Sequence, residues 1–336
     1  MKVISCASYY GTGSSAITDF FSEFDNVYSL TNYEFRFLQD PDGISDLEFN
    51  LIENHNRHNS GHSIKRFKKL VDFNAGTFFN KRYEPFFNNQ YKQISYDYIK
   101  ELTDFSFNGY WFYDFYDRGK LFYYRKMLPG KIYRKLFPSK SESSFKKILP
   151  NEITYCSHPS EEKFLRCTRA YVSKLVKIAN KDNKPYIMVD QMVPPSNVSR
   201  YTRYFEDIKV FVVERDPRDV YLLAKYVWKA RVIPTESVEL FCQWFRYTRL
   251  HRKTEKYNSE NTILIQFEDL IYHYDETIQK IMTWVGISAE HHEKAKQYFN
   301  PDKSINNTKL WEKYPQYIDE IRKLEELLPE YLYCDY

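Results

Sequence analysis

The chain has 336 residues, of which 43% are hydrophobic and 28% charged. This is the composition of a folded globular protein large enough to build a core without disulfides, and it excludes an intrinsically disordered chain. With 49 basic against 45 acidic side chains the formal charge is only +4, and no long basic run occurs, which argues against a nucleic-acid binder.

Residues 2–8, with Val3, Ile4, Cys6 and Ala7, read as a short buried strand. Residues 9–15 form a loop with two glycines, after which Ser14 or Ser15 caps a helix running to about Phe24. Strand, glycine turn and helix in this order open a nucleotide-binding α/β fold. From about 46 to 135 the chain is expected to be helical and irregular, with no clean second strand and with the densest aromatic cluster at 105–116. Residues 138–161, rich in Ser, Lys, Pro and Glu, are expected to form a surface loop. Phe164, Cys167, Tyr171, Leu175 and Ile178 fall at helical spacing and predict an amphipathic helix over 160–181. The α/β pattern then resumes, with strands at 185–190, 209–214 and 262–267. Helices are expected at 197–205, 216–229, 236–256, 268–285, 289–299 and 316–328. The apolar run Val210, Phe211, Val212, Val213 is what a parallel strand covered on both faces requires. The expected fold is therefore α/β: a P-loop-like parallel sheet flanked by helices, in one domain spanning 1–336, with a large helical insertion after the first βα unit.

Cys6, Cys156, Cys167, Cys242 and Cys334 are odd in number, widely spaced and without a C-x-x-C. Neither a disulfide framework nor a zinc knuckle is expected, and free thiols suit a cytoplasmic protein. No apolar run reaches the ~18 residues of a membrane span, and the N-terminal apolar stretch is too short for a signal peptide. The aromatic content is high, at 18% with 31 Tyr and 26 Phe. Codon bias and a sugar-binding surface both account for it, and composition does not choose between them.

Two segments carry chemistry. In Gly11, Thr12, Gly13, Ser14, Ser15 and Ala16 the glycines allow close backbone approach, and successive amides at the start of a helix can cradle an anion. No lysine follows Gly13, so the Walker pattern is absent, and the dinucleotide fingerprint fails at its third glycine. An ordinary tight turn is the plainer alternative. The second segment is Glu214-Arg215-Asp216-Pro217-Arg218-Asp219. Pro217 suits the first turn of a helix. Arg215 emerges at the C-terminal end of a strand, where open α/β sheets bind ligands and an arginine can grip phosphate bidentately. A surface Arg–Asp pair is the alternative there. The i, i+3, i+7 spacing of His55, His58 and His62 would put them on one helical face, but Gly61 and the Asn-rich surroundings argue against a helix there, no carboxylate completes a site and no metal is expected.

Taken together, these segments resemble the sulfotransferases that use 3′-phosphoadenosine 5′-phosphosulfate, PAPS. In that family a strand–loop–helix near the N-terminus holds the 5′-phosphosulfate, here Gly11 to Ala16. A later strand ends in R-[DN]-P-x-[DE], whose first arginine holds the 3′-phosphate, here Arg215, with Arg218 in the same motif. Residues 262–270, with Phe267-Glu-Asp-Leu270, are similar to the family's "strand, F/Y-E-D-L, helix". Lys309 and Trp311 resemble its late W-K stretch near the cofactor. Residues 186–195 and 32–38 look most like bacterial enzymes that sulfate surface or capsular polysaccharides.

The resemblance implies transfer of a sulfuryl group from PAPS to a carbohydrate hydroxyl, leaving 3′,5′-ADP. It implies Glu34 as base, with a solvated Glu34–Arg36 pair as the plainer alternative; Asp190, at the end of another strand, is the second choice of base, with a turn cap as its alternative. Two positions depart from the family. Gly11 stands where the loop normally has a Lys or Arg, and Leu223 where a serine normally helps hold the 3′-phosphate. Arg36, Lys225 and Lys229 are the candidates for the missing cation. A P-loop-type kinase and a catalytically inactive binding module are the alternatives. Two further expectations follow. Gly13 is where backbone meets ligand, so valine there should remove cofactor binding and spare the fold. The insertion at 46–135 should recognise the acceptor, with Trp111 as its largest platform.

Overall fold

The computed structural model describes residues 1–109, 113–139, 152–229 and 231–336. The chain divides into two compact units, one made of Met1–Asp40 with Val172–Tyr336 and the other of Pro41–Tyr171.

The first unit is built on five parallel strands. They are β1 (Lys2–Ser8), β2 (Val27–Glu34), β5 (Tyr186–Asp190), β6 (Ile208–Glu214) and β7 (Thr262–Gln266), in the order β2-β5-β1-β6-β7. Central β1 pairs with β5 from Lys2–Tyr186 to Cys6–Asp190, and with β6 from Val3–Ile208 to Ser8–Val213. The run Val210 to Val213 is fully buried, as a strand covered on both faces must be. Ile4, Cys6, Phe211, Val213, Ile263 and Ile265 form one core with Ile17, Phe20 and Phe21 of helix Ser14–Phe21 and Ile281 and Val285 of helix Tyr274–Val285. A second core joins Val220 to Ala224, Phe241 and Phe245 of helix Val238–Thr248, and Ile321 and Leu324 of helix Ile318–Leu327. The α/β fold with a parallel sheet flanked by helices is thus the observed one.

Several elements differ from expectation: residues 105–109 form a strand within the stretch expected to be helical and irregular, the helix expected at 236–256 ends at Thr248, and three further differences have a clear physical cause. Strand β2 has no counterpart in the sequence reading. It is an edge strand rich in Ser, Thr and Asn, and an irregularity between Ser29 and Glu34 breaks the period-2 pattern that would have marked it. The insertion therefore follows β2, not the first βα unit. The helix expected at 289–299 is only a turn, Ala289–His291. The amides of Tyr298 and Phe299 instead donate to the buried carboxylate of Glu23 (3.0 Å each), which also meets His292 Nε2 at 2.7 Å. Finally, the loop expected at 138–161 contains strand β4 (Glu152–Cys156), antiparallel to β3 (Phe105–Gly109) in the second unit. Ile153, Thr154 and Tyr155 are strand formers, masked in the sequence by their polar flank.

The second unit is otherwise mostly helical, with Arg57–Ala75, Tyr91–Leu102 and the kinked helix Tyr113–Leu136. Many of its aromatics are core. Tyr98 stacks on Tyr171 at 4.6 Å, its hydroxyl meets Thr168 Oγ1 at 2.8 Å, and Ser95 Oγ meets the Tyr171 hydroxyl at 2.8 Å. Trp111 lies outside the described residues. His55 stacks on His158 and contacts the Ser157 carbonyl, and no cluster of metal-ligating side chains occurs among the described residues. All five cysteines are free. No helix of the described residues is long and apolar enough to cross a membrane.

Candidate functional site

A cavity of about 560 Å³ opens at the C-terminal ends of the parallel strands, where open α/β sheets place their ligands. Its lining includes all of Gly11 to Ala16, together with Glu34, Arg36 and Arg215. Three segments separate in sequence are thereby brought to one wall system of the first unit.

The glycine loop is shaped by two left-handed residues, Gly11 (φ +79°) and Gly13 (φ +89°), conformations that a Cβ disfavours. The helix N-cap is Gly13, not a serine, and no side chain caps the helix. The Ala16 amide turns back to the Gly13 carbonyl (3.0 Å). The amides of Gly13, Ser14 and Ser15 meet no acceptor among the described residues, which leaves the positive end of the helix facing the cavity.

Both glycines are also packing positions. A Cβ on Gly13 would sit 2.6 Å from the Phe267 ring. The expectation that Gly13→Val spares the fold is therefore wrong: the neighbour is the protein's own buried aromatic. Gly13→Ala should lower stability by at least about 1–2 kcal/mol, the cost of a left-handed L-residue, before the clash is counted. A melting temperature unchanged from wild type would contradict this. A Cβ on Gly11 would meet Trp228 at 3.1 Å and Ile233 at 3.3 Å. The indole thus occupies the space that a longer side chain at Gly11 would need.

Arg215 follows the last residue of β6, and Asp216 caps the next helix by accepting from the Arg218 amide (2.8 Å). Only 4% of Arg215 is exposed, although it lines the cavity. Its guanidinium lies 4.3 Å over the Phe267 ring and donates to the Asn307 carbonyl, while Nε has no hydrogen-bond partner. Burial lowers its pKa, opposed by the charges of Asp219, Glu268 and Asp216. Burial pushes the Glu268 carboxyl up to about 8 and that of Asp219 up to about 7. A buried arginine that keeps a donor free can grip an anion through a charge-assisted hydrogen bond.

Glu34 and Asp190 are paired residues on adjacent strands β2 and β5, and Cys6 of β1 is the next partner along that row. Glu34 stands at a strand end and its side chain is 55% exposed; Arg36 Nη1 lies 3.7 Å from it, and Arg36 Nε lies 2.9 Å from Asp40. Asp190 is buried behind them and does not line the cavity. Burial, with Glu34's charge adding to it, raises its pKa to about 7.

Several expected residues lie outside the lining. Arg218 is clamped by Asp216 (2.7 Å) and Glu325 (2.8 Å) and lies 3.9 Å over Trp311. Lys309 covers the Tyr336 ring at 4.3 Å, and its amide donates to Asp219. These three fasten the C-terminal tail onto the helix after β6. Of the candidate cations, Lys225 is bound to Glu320 (2.8 Å) and Tyr221, and Lys229 is exposed at a helix end; only Arg36 lines the cavity. Leu223 lines it without offering a hydrogen bond.

Phe267, Trp228, Tyr10 and Gln191 also line the cavity and were not foreseen. Phe267 belongs to a segment singled out in the sequence, but its place between Gly13 and Arg215 is a tertiary fact. No family model and no curated protein sequence matches the chain. Solved structures similar to it include the sulfotransferase STF9 of Mycobacterium avium, with a TM-score of 0.38 and 13% identity over 98% of this chain and 76% of that one. The sulfotransferase STF1 of Mycobacterium tuberculosis has a TM-score of 0.34 and 11% identity over 92% and 76%.

Proposed function

We propose that the chain is a sulfotransferase that moves the sulfuryl group of PAPS to a hydroxyl of a carbohydrate, a surface or capsular polysaccharide or its precursor. The observation that carries this reading is a single cavity lined both by the uncapped amides of Gly13 to Ser15 and by Arg215, buried with its Nε unpartnered. Two separate anion sites in one cavity of nucleotide size suit a ligand phosphorylated at both ends. Bound there, PAPS supplies the activated sulfuryl group. The loop amides hold the 5′ anion and Arg215 the 3′-phosphate. Glu34 takes the proton of the acceptor hydroxyl at its exposed carboxylate. Arg36 supplies the positive charge that Gly11 does not.

The test compares thermal stabilisation by 3′,5′-ADP and by ATP–Mg²⁺. At a hundredfold excess over its dissociation constant, 3′,5′-ADP should add about 2.7 kcal/mol, on the order of 5 °C for a chain of this size. ATP–Mg²⁺, which has no 3′-phosphate for Arg215, should add much less. The reverse preference would assign the site to a kinase.

A further inference from the structure

Phe78 and Phe79 are the most exposed large apolar side chains among the described residues, at 88% and 95%. They do not sit on a frayed segment. The Thr77 amide donates to the Asn80 carbonyl (3.0 Å), and the Asn80 amide to Thr77 Oγ1 (3.2 Å). Gly76 and Lys81 form an antiparallel bridge, closed behind by Arg82 N to the Ala75 carbonyl (3.2 Å) and Tyr83 N to the Asn74 carbonyl (2.8 Å). Gly76 has φ +86°, and a Cβ there would strike the Asn80 carbonyl. The turn is thus built to hold two phenyl rings out in water, edge to face at 5.4 Å.

The surroundings are cationic. Beside the turn, the Arg82 guanidinium lies 4.1 Å over Phe73, itself 61% exposed, and Lys81 Nζ donates to Asn89 Oδ1 (2.7 Å). Thr77 to Tyr83 contains two cations and no carboxylate. The nearest acids on either side are turned to other partners: Asp72 to Lys92 and Tyr96, and Glu84 to the amides of Tyr91 and Lys92.

Exposed apolar side chains normally occur singly, and a contiguous group rimmed by charge marks an interaction surface. A narrow tip with aromatics at its end and cations at its base matches the layered chemistry of a bilayer surface. There the rings sit at the headgroup–acyl boundary and the cations meet lipid phosphates. We propose that the turn 77–80, with Phe73, Lys81 and Arg82, docks this protein on an anionic lipid bilayer. This does not depend on the reaction catalysed in the other unit.

The test is co-sedimentation of the full chain with phosphatidylcholine vesicles containing 30% phosphatidylglycerol, and with pure phosphatidylcholine. Binding is expected to the anionic vesicles, weaker to the neutral ones, and to fall with salt. The double variant Phe78→Ser with Phe79→Ser should bind at least tenfold more weakly at an unchanged melting temperature, because neither ring is packed. Lys81→Glu with Arg82→Glu should abolish the preference for anionic lipid. Failure of the wild-type chain to pellet with anionic vesicles would overturn the proposal, as would equal pelleting of the phenylalanine variant. A dimer in light scattering that the phenylalanine variant dissolves would assign the turn to a second copy instead.

Discussion

Glu34→Gln should lower the rate of sulfuryl transfer from PAPS by about 10²–10⁴-fold, the usual range for loss of a general base, and leave 3′,5′-ADP affinity unchanged. The substitution keeps the shape of a side chain that reaches the cavity from the end of β2 and removes only its charge. Arg36→Ala should cost a comparable factor, since Arg36 is the one candidate cation found in the lining and a developing charge in a partly closed cavity needs a donor. Asp190→Asn discriminates between the two carboxylates. Asp190 holds its proton up to about pH 7 because it is buried, so asparagine imitates its neutral form and most of the rate should survive. Near wild-type turnover in Glu34→Gln, with loss in Asp190→Asn, would exchange their roles. The readout is transfer of labelled sulfate at saturating acceptor.

Arg215→Ala should weaken 3′,5′-ADP binding by about 1.5–3 kcal/mol, the range for hydrogen bonds to charged groups, or roughly 10- to 150-fold. Calorimetry giving an unchanged dissociation constant would remove Arg215 from the phosphate site. The same site sets a pH dependence in the wild-type chain. Asp216, Asp219, Glu268 and Tyr336 all bear on the guanidinium. Burial keeps Glu268 protonated up to about pH 8 and Asp219 up to about pH 7. Raising the pH through these values adds negative charge around Arg215, which repels a phosphate. Affinity for 3′,5′-ADP should therefore fall between pH 6.5 and 8.5, and a flat or rising profile would contradict the assignment.

The elements legible in the sequence are those whose signal is local. Strands β1, β5, β6 and β7 read as apolar runs because their side chains are covered by the fold. β2 does not, because an edge strand with an irregular register carries neither a continuous run nor a clean alternation. β4 is five residues inside a polar flank, and its pairing with β3 spans more than forty residues of chain. In the site, the glycine loop and Arg215 announce themselves by turn chemistry and by their place at strand ends. Phe267 and Trp228 are visible only once the chain is folded, since a ring packed on a glycine leaves no mark on its sequence neighbours. Arg218, Lys309 and Trp311 show the converse: a basic and aromatic composition that suits phosphate recognition equally suits stacking and ion pairing within a tail.

The sheet's strand order also sets a schedule for synthesis. β1 has β5 and β6 as its neighbours, and β2 has only β5, yet about 150 residues separate the end of β2 from the start of β5. At roughly 5–20 residues per second, the first two strands are made some eight to thirty seconds before any strand exists to pair with them. For that interval Val3, Ile4, Phe20 and Phe21 are apolar surface and β1 has two open edges, while the Pro41–Tyr171 unit completes. Strands β1 and β2 thus wait unpaired for their partners, and the chaperone requirement of the chain should scale with the length of the segment between β2 and β5.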